Sequence, residues 1–172
     1  MTITNGDVRP LPTVLSLWGT GPRLDDARVD EVDIVFFAPP AGDTLGCRAR
    51  EHRDEESGRV DRTLGYVDEV GRVVAEVFVS GSVHPGGGRG EVDPLAGELL
   101  HSVAERFDLA DVRRIRMRFR GHPAGVASPS WSATVLQQYR TDHERVEDVA
   151  LVGTDSSGSV VARAWVTVAA DS

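Results

Sequence analysis

The stretch HPGGGRGEVDPLAGELLHSVAERF, residues 84–107, contains the residue types that acid–base chemistry needs. His84 precedes a run of glycines, and Glu98 follows fourteen positions later. An imidazole accepts a proton near neutral pH and a carboxyl group can donate or accept one, so the two form an acid–base pair in outline. Asp93 is a second carboxylate in the same stretch.

The elements that must position these groups are a glycine-rich loop and a helix. Gly86 and Gly87 exclude regular structure and let the backbone pass close to whatever His84 faces. Asp93 is a good N-cap, and the proline after it suits the first helical position, so a helix is expected over residues 93–107. Its apolar residues recur at helical spacing and predict a buried face: Leu95, Leu99, Leu100, Val103 and Phe107.

Glu98 lies on the opposite, polar side of this predicted helix, together with His101 and Glu105. Two interpretations therefore stay open for Glu98: a catalytic carboxylate, or a solvated side chain. His101 either orients the Glu98 carboxylate or forms an exposed pair with it one turn away.

Composition excludes several classes of function. The net charge of −8 disfavours nucleic-acid binding. All 19 basic residues are arginines, which excludes Schiff-base chemistry and a phosphate-loop lysine. The histidines have no ligand spacing, so neither a metal site nor a cofactor is expected.

The expected location is the cytoplasm. No run approaches the roughly 18 apolar residues that a membrane span needs. The N-terminus has no basic segment followed by an apolar run, as a signal peptide would. The single Cys47 cannot form an internal disulfide, which fits a reducing compartment.

Strand-like segments lie on both sides of the helix. The alternation of apolar and polar residues, punctuated by turn residues such as Ser57-Gly58 and Ser157-Gly158, is typical of antiparallel strands with one solvated face. A polar connector is expected over residues 19–30. The predicted strands are 31–38, 44–53, 59–67, 72–83, 112–121, 131–140, 146–154 and 159–169.

The order of one helix and four strands occurs twice. FFAPPAG at 36–42 matches FRGHPAG at 119–125, and GRVVAEVFV at 71–79 matches GSVVARAWV at 158–166. A short helix over residues 10–18 completes the first copy. We therefore predict an α+β fold of two halves, 1–83 with a short, degenerate helix and 84–172 with the full helix, each with an antiparallel sheet curled around its helix.

An arginine row follows the helix in the sequence RRIRMRFR. Arg114, Arg116 and Arg118 lie on one side of the predicted strand, and apolar residues lie on the other. These arginines either bind an acidic carrier protein or the phosphates of CoA or phosphopantetheine, or form a solvated face paired with acids. The candidate acids are on the neighbouring strand: Glu144, Glu147 and Asp148.

A helix wrapped by a long curved sheet, repeated in tandem, resembles the hot-dog fold in its double form. The order of His84, Pro85-Gly86 and a helix bearing Glu98 resembles the beta-hydroxyacyl thioester dehydratases and the related, MaoC-like hydratases of CoA esters. In the dehydratases an aromatic residue stands between the histidine and Pro-Gly, whereas here Pro85 follows directly. Polyketide-synthase dehydratase domains use an aspartate after a His-Pro pair, for which Asp93 is the candidate.

The resemblance implies a hydro-lyase of fatty-acid or polyketide metabolism that dehydrates 3-hydroxyacyl groups carried on acyl carrier protein or CoA. His84 would remove the alpha proton, and Glu98 or Asp93 would protonate the departing hydroxyl. Amides near Gly97 at the helix start would polarise the thioester carbonyl. The alternatives are a thioesterase or isomerase with Glu98 or Asp93 as base, or a non-catalytic hot-dog protein that binds a ligand or a partner. Both a monomer and a homodimer are compatible with two fused halves.

Overall fold

The computed structural model describes Leu24 and residues 27–42, 44–83, 94–119 and 128–170. The helix predicted for residues 10–18 lies outside them. The described chain forms eight strands and one helix: β1 (Ala27–Phe36), β2 (Gly46–Asp54), β3 (Arg59–Val67), β4 (Val73–Val83), α1 (Pro94–Arg106), β5 (Val112–Phe119), β6 (Ser130–Arg140), β7 (Arg145–Thr154) and β8 (Val160–Ala169).

All eight strands belong to one antiparallel sheet with the order β2-β3-β4-β1-β5-β8-β7-β6. The order is mirrored about its centre, since β1 is followed outwards by β4, β3 and β2, and β5 by β8, β7 and β6. A separate sheet was predicted in each half, but the described strands form a single sheet. β1 and β5 pair from Glu31↔Arg118 to Val35↔Arg114, which joins the two sets of strands into one sheet.

The first strand is longer than its sequence pattern predicts. Ala27 and Val29 are buried and continue the pairing of β1 with β4, beyond a bulge between Val29 and Glu31. The polar connector expected to reach residue 30 therefore ends before Ala27. The bulge shifts the alternation by one residue, which hides these apolar positions from a period-two pattern.

The helix packs its apolar stripe on one face of the sheet. Leu95, Leu99 and Val103 are buried in the same cluster as Ile115 and Met117 of β5. The predicted alternation of β5 is confirmed, because both of these residues have no exposed surface while Arg114, Arg116 and Arg118, which alternate with them, lie on the other side. The helix therefore lies on the apolar face of the sheet, where it contacts β8, and the arginine row lies on the opposite face.

Two hairpin turns, at positions that the predicted repeat aligns, have the same geometry. Gly71 and Gly158 precede β4 and β8 with φ of 83° and 81°, values that favour glycine. In each turn the glycine amide donates to the carbonyl of an aspartate, Asp68 or Asp155, at 3.0 Å. Each aspartate carboxylate also accepts the amides two and four residues later. The two turns therefore have the same glycine conformation and the same pattern of hydrogen bonds to an aspartate.

Gly81 in β4 lies where two strands approach closely. A Cβ atom there would overlap the carbonyl oxygen of Arg28 and meet a methyl carbon of Leu24, whereas at Gly65 in β3 it would meet no atom within 4 Å. We expect Gly81→Ala to lower the free energy of unfolding by about 1–3 kcal/mol. Gly65→Ala should change it by no more than about 0.5 kcal/mol. Urea unfolding of both variants checks this, and equal effects would contradict the close approach.

Within the described ranges, no helix has both the length and the apolar character that crossing a membrane requires.

Candidate functional site

An open hollow of about 540 Å³ lies between the polar side of α1 and the chain that leads into β6. It contains two of the predicted site residues, Gly97 and Glu98. The helix contributes them because its apolar side faces the sheet, so its polar side faces outward. The lining residues are Gly97, Glu98, His101, Ser102, Glu105, Arg106, Ser128, Pro129 and Trp131.

Glu98 is half-buried at this hollow and is held by one hydrogen bond. The hydroxyl of Ser128 donates to its Oε1 at 3.0 Å. Among the described residues no donor contacts the second oxygen, Oε2. Within these ranges the carboxylate is thus oriented through one oxygen only. Ser128 was not identified from the sequence, because nothing local connects it to a helix thirty residues earlier.

Gly97 is exposed beside Glu98, and a Cβ added to it would meet no protein atom within 4 Å. Packing against the rest of the described chain therefore does not require a glycine here. We expect Gly97→Ala to raise the melting temperature by about 2–4 °C, because alanine favours a helix by roughly 1 kcal/mol over glycine. If substrate passes over Gly97, turnover falls in the same variant. Differential scanning calorimetry and an activity assay separate the two effects, and a lower melting temperature would contradict the open surface.

His101 contacts Glu105 rather than Glu98. Its Nε2 lies 3.2 Å from Glu105 Oε1, and both side chains are largely exposed. The predicted pair of His101 with Glu98 is therefore replaced by an i,i+4 pair on the same helix. His101 remains part of the hollow lining but does not orient the candidate base.

The arginine row lies on the other face of the sheet, over a separate groove of about 330 Å³. Arg114 binds Asp33 through Nε at 2.8 Å and also through Nη2, and Arg116 and Arg118 share Glu31 at 2.5 and 3.1 Å. The hydrogen bonds that Arg114 donates to the Asp33 carboxylate raise the pKa of Arg114, so its charge is retained. Arg118 also lies over a Trp165 ring, with its guanidinium carbon 5.7 Å from the centroid; the other lining residues are Leu136, Gln137, Asp148 and Thr167.

The arginines of the row pair with carboxylates, but these carboxylates are not the ones that the sequence predicted. Asp33 and Glu31 belong to β1, the strand of the other half, whereas acids on β7 or just before it were expected. Among those acids, Glu144 binds Arg113 at 2.8 Å, which lowers the pKa of the carboxyl group. The sequence signal for the missed acids is the alternation in β1, where Glu31 and Asp33 flank a buried Val32.

Four predicted site residues lie outside the described residues: His84, Gly86, Gly87 and Asp93. Their association with Glu98 stays a prediction. The described ones fall into two places, with Gly97 and Glu98 in the hollow and the arginine row across the sheet. In the described ranges no three His, Cys, Asp or Glu side chains group to hold a metal ion.

Solved structures that resemble this chain have the hot-dog fold. No protein-family model matches the sequence, and no curated protein matches it. The tesB protein of Mycobacterium avium subspecies paratuberculosis superposes with a TM-score of 0.66 at 10% identity, covering 98% of this chain and 90% of that one. A Lactobacillus plantarum protein provisionally described as an oleoyl thioesterase gives 0.70 at 8% identity, over 100% and 95%. A hot-dog protein of unknown function from Alicyclobacillus acidocaldarius gives 0.62 at 12% identity, over 95% and 86%. At such identities the likeness establishes the fold.

Proposed function

We propose that this chain is a double hot-dog protein that hydrolyses an acyl thioester, with Glu98 as the general base. The mirrored strand order and the matching turns at Gly71 and Gly158 support the tandem arrangement. Several structural neighbours are described as acyl-CoA or acyl-carrier-protein thioesterases, which favours thioester substrates and hydrolysis. The observation that carries the proposal is the Glu98 carboxylate, oriented by Ser128 and open to the hollow.

In the proposed hydrolysis, water is the nucleophile and Glu98 is the general base. A water molecule hydrogen-bonded to Glu98 gives up a proton to the carboxylate as its oxygen bonds to the thioester carbonyl carbon. The tetrahedral oxyanion collapses, the carbon–sulfur bond breaks, and the thiolate receives the proton. The products are a carboxylic acid and a free thiol. Ser128 acts as a positioning residue, because its hydroxyl contacts the base rather than the reacting carbon.

Dehydration of a 3-hydroxyacyl thioester is the function that the His84 motif implies. That reaction needs a second acid–base group, which would be His84 or Asp93. In the described residues Glu98 has a serine and a solvent-exposed hollow beside it, a setting that suits attack by water. The hydrolase alternative is therefore preferred to the hydro-lyase.

A substrate assay distinguishes the two reactions. We expect octanoyl-CoA to release a free thiol, detected with a thiol reagent, and crotonyl-CoA to keep its enoyl absorbance. Loss of that absorbance without thiol release would overturn hydrolysis in favour of the hydratase. Absence of both reactions, with CoA esters still raising the melting temperature, would make the chain a binding protein.

A further inference from the structure

Arg106, in the last turn of α1, is oriented by neutral groups. Its Nη1 donates to the Ser102 carbonyl at 3.1 Å and to the Ser102 hydroxyl, and its Nη2 donates to the Trp131 carbonyl at 3.1 Å. Within the described ranges it has no carboxylate partner. Among the described residues, the positive charge is therefore held in place by neutral groups alone.

The contacts of the Arg106 guanidinium with the described residues leave two of its donors for a ligand. The group has five N–H donors, and these contacts use three of them. The other two are on Nε and Nη2, two nitrogens bonded to the same carbon. Paired donors of this kind bind two oxygens of a phosphate or carboxylate, with more strength than neutral hydrogen bonds have.

The arginines of the arginine row, unlike Arg106, already bind carboxylates. The same two nitrogens of Arg114 already bind the two oxygens of Asp33, and Arg116 and Arg118 share Glu31. An anion approaching that row must displace a carboxylate. At Arg106 it meets no such competition from the described residues.

Arg106 and Glu98 line the same hollow. They are eight residues apart on one helix, which corresponds to about 12 Å along its axis. An extended molecule can therefore contact both. Arg106 is the one arginine among the described residues that line the hollow, and it lies next to Trp131, so an anion is expected at this end.

We propose that Arg106 binds a phosphate group at the far end of the thiol arm of the substrate. This inference rests on the proposed hydrolysis, because it places the thioester carbonyl at Glu98. The pantetheine arm leads away from the thioester sulfur and ends in phosphate, both in CoA and on an acyl carrier protein. Arg106 thus selects carrier-bound thioesters over simple ones.

The test compares three substrates that share one acyl group. Octanoyl-pantetheine has no phosphate, octanoyl-CoA has the phosphates of the nucleotide, and octanoyl carrier protein has the phosphodiester. We expect Arg106→Gln to raise KM roughly tenfold for a phosphate-bearing substrate and to leave kcat and KM for octanoyl-pantetheine unchanged. A higher KM for octanoyl-CoA alone identifies the phosphates of the nucleotide as the group that Arg106 binds. A higher KM for both octanoyl-CoA and the octanoyl carrier protein identifies the phosphate that these two substrates share. A rise for the carrier protein alone identifies the phosphodiester. Equal changes for all three substrates, or none, overturn the proposal.

Two further variants control for structure and charge. Arg106→Lys keeps the positive charge and should recover part of the affinity for phosphate-bearing substrates. No recovery is expected if Arg106 acts only through its hydrogen bond to the Trp131 carbonyl. Arg163→Gln removes an exposed arginine of β8 outside the hollow and should leave KM unchanged.

A binding measurement keeps the inference separate from the proposed reaction. If no thioester is hydrolysed, the proposed function fails, but CoA can still be titrated while tryptophan fluorescence is recorded. Weaker binding to Arg106→Gln than to the wild type would support the phosphate contact. Equal binding would overturn it.

Discussion

Replacing Glu98 by glutamine should lower kcat for acyl-thioester hydrolysis at least about 100-fold, while leaving the melting temperature nearly unchanged. Glutamine keeps the size of the side chain and can still accept the hydrogen bond from Ser128. It cannot take a proton from water, and general bases contribute roughly 10²–10⁴ to rates. Thiol release under saturating substrate measures the effect. Near-normal kcat with a normal melting temperature would remove Glu98 from the mechanism.

Glu55→Gln is the matched control for this variant. Glu55 is an exposed glutamate in the turn between β2 and β3, outside the hollow, and its substitution makes the same chemical change. We expect its kcat to equal that of the wild type. Ser128→Ala should fall between the two glutamate variants, because it removes the hydrogen bond that orients the carboxylate but keeps the carboxylate itself.

Replacing Leu99 by alanine should have the largest effect on stability. Leu99 is fully buried in the contact between α1 and the sheet, so truncation leaves a cavity. Losses of about 2–5 kcal/mol are typical of such a change. For a domain of this size each kcal/mol lowers the melting temperature by about 2–4 °C. Chemical denaturation gives the free energy of unfolding directly.

Leu136→Ala is the control for the core substitution. Leu136 lies on β6 with 55% of its surface exposed, so the same truncation removes little buried contact. Its effect should stay within about 0.5 kcal/mol. Equal losses for the two leucines would contradict the packing of α1 on the sheet.

The elements of the fold could be predicted from local patterns. The strand Arg59–Val67 has the predicted bounds, and α1 begins at Pro94, directly after the predicted cap. The positive φ of Gly71 and Gly158 agrees with the repeat between the two halves. In these segments alternation, helical spacing and turn residues all favour the same local structure, and so a single sequence is sufficient.

Long-range pairing could not be predicted in the same way. The contact of β1 with β5 determines that the sheet is continuous, and it brings Asp33 to Arg114 across 81 residues. Likewise, the bonds from Ser128 to Glu98 and from Arg106 to the Trp131 carbonyl join the helix to a distant segment. Such contacts depend on which strands are neighbours in the sheet, and no periodicity within one segment contains that information.

The two outer strands, β2 and β6, differ in how they would meet another polypeptide. An unpaired strand edge can hydrogen-bond to a further strand, and charges along it oppose such addition. β2 is exposed throughout and has the charged run REHRD, residues 50–54. β6 is also an edge, but it exposes Val135 and Leu136 beside a bulge. Among the described strands, charge therefore opposes extension of the sheet at β2, and at β6 the bulge interrupts the regular strand edge.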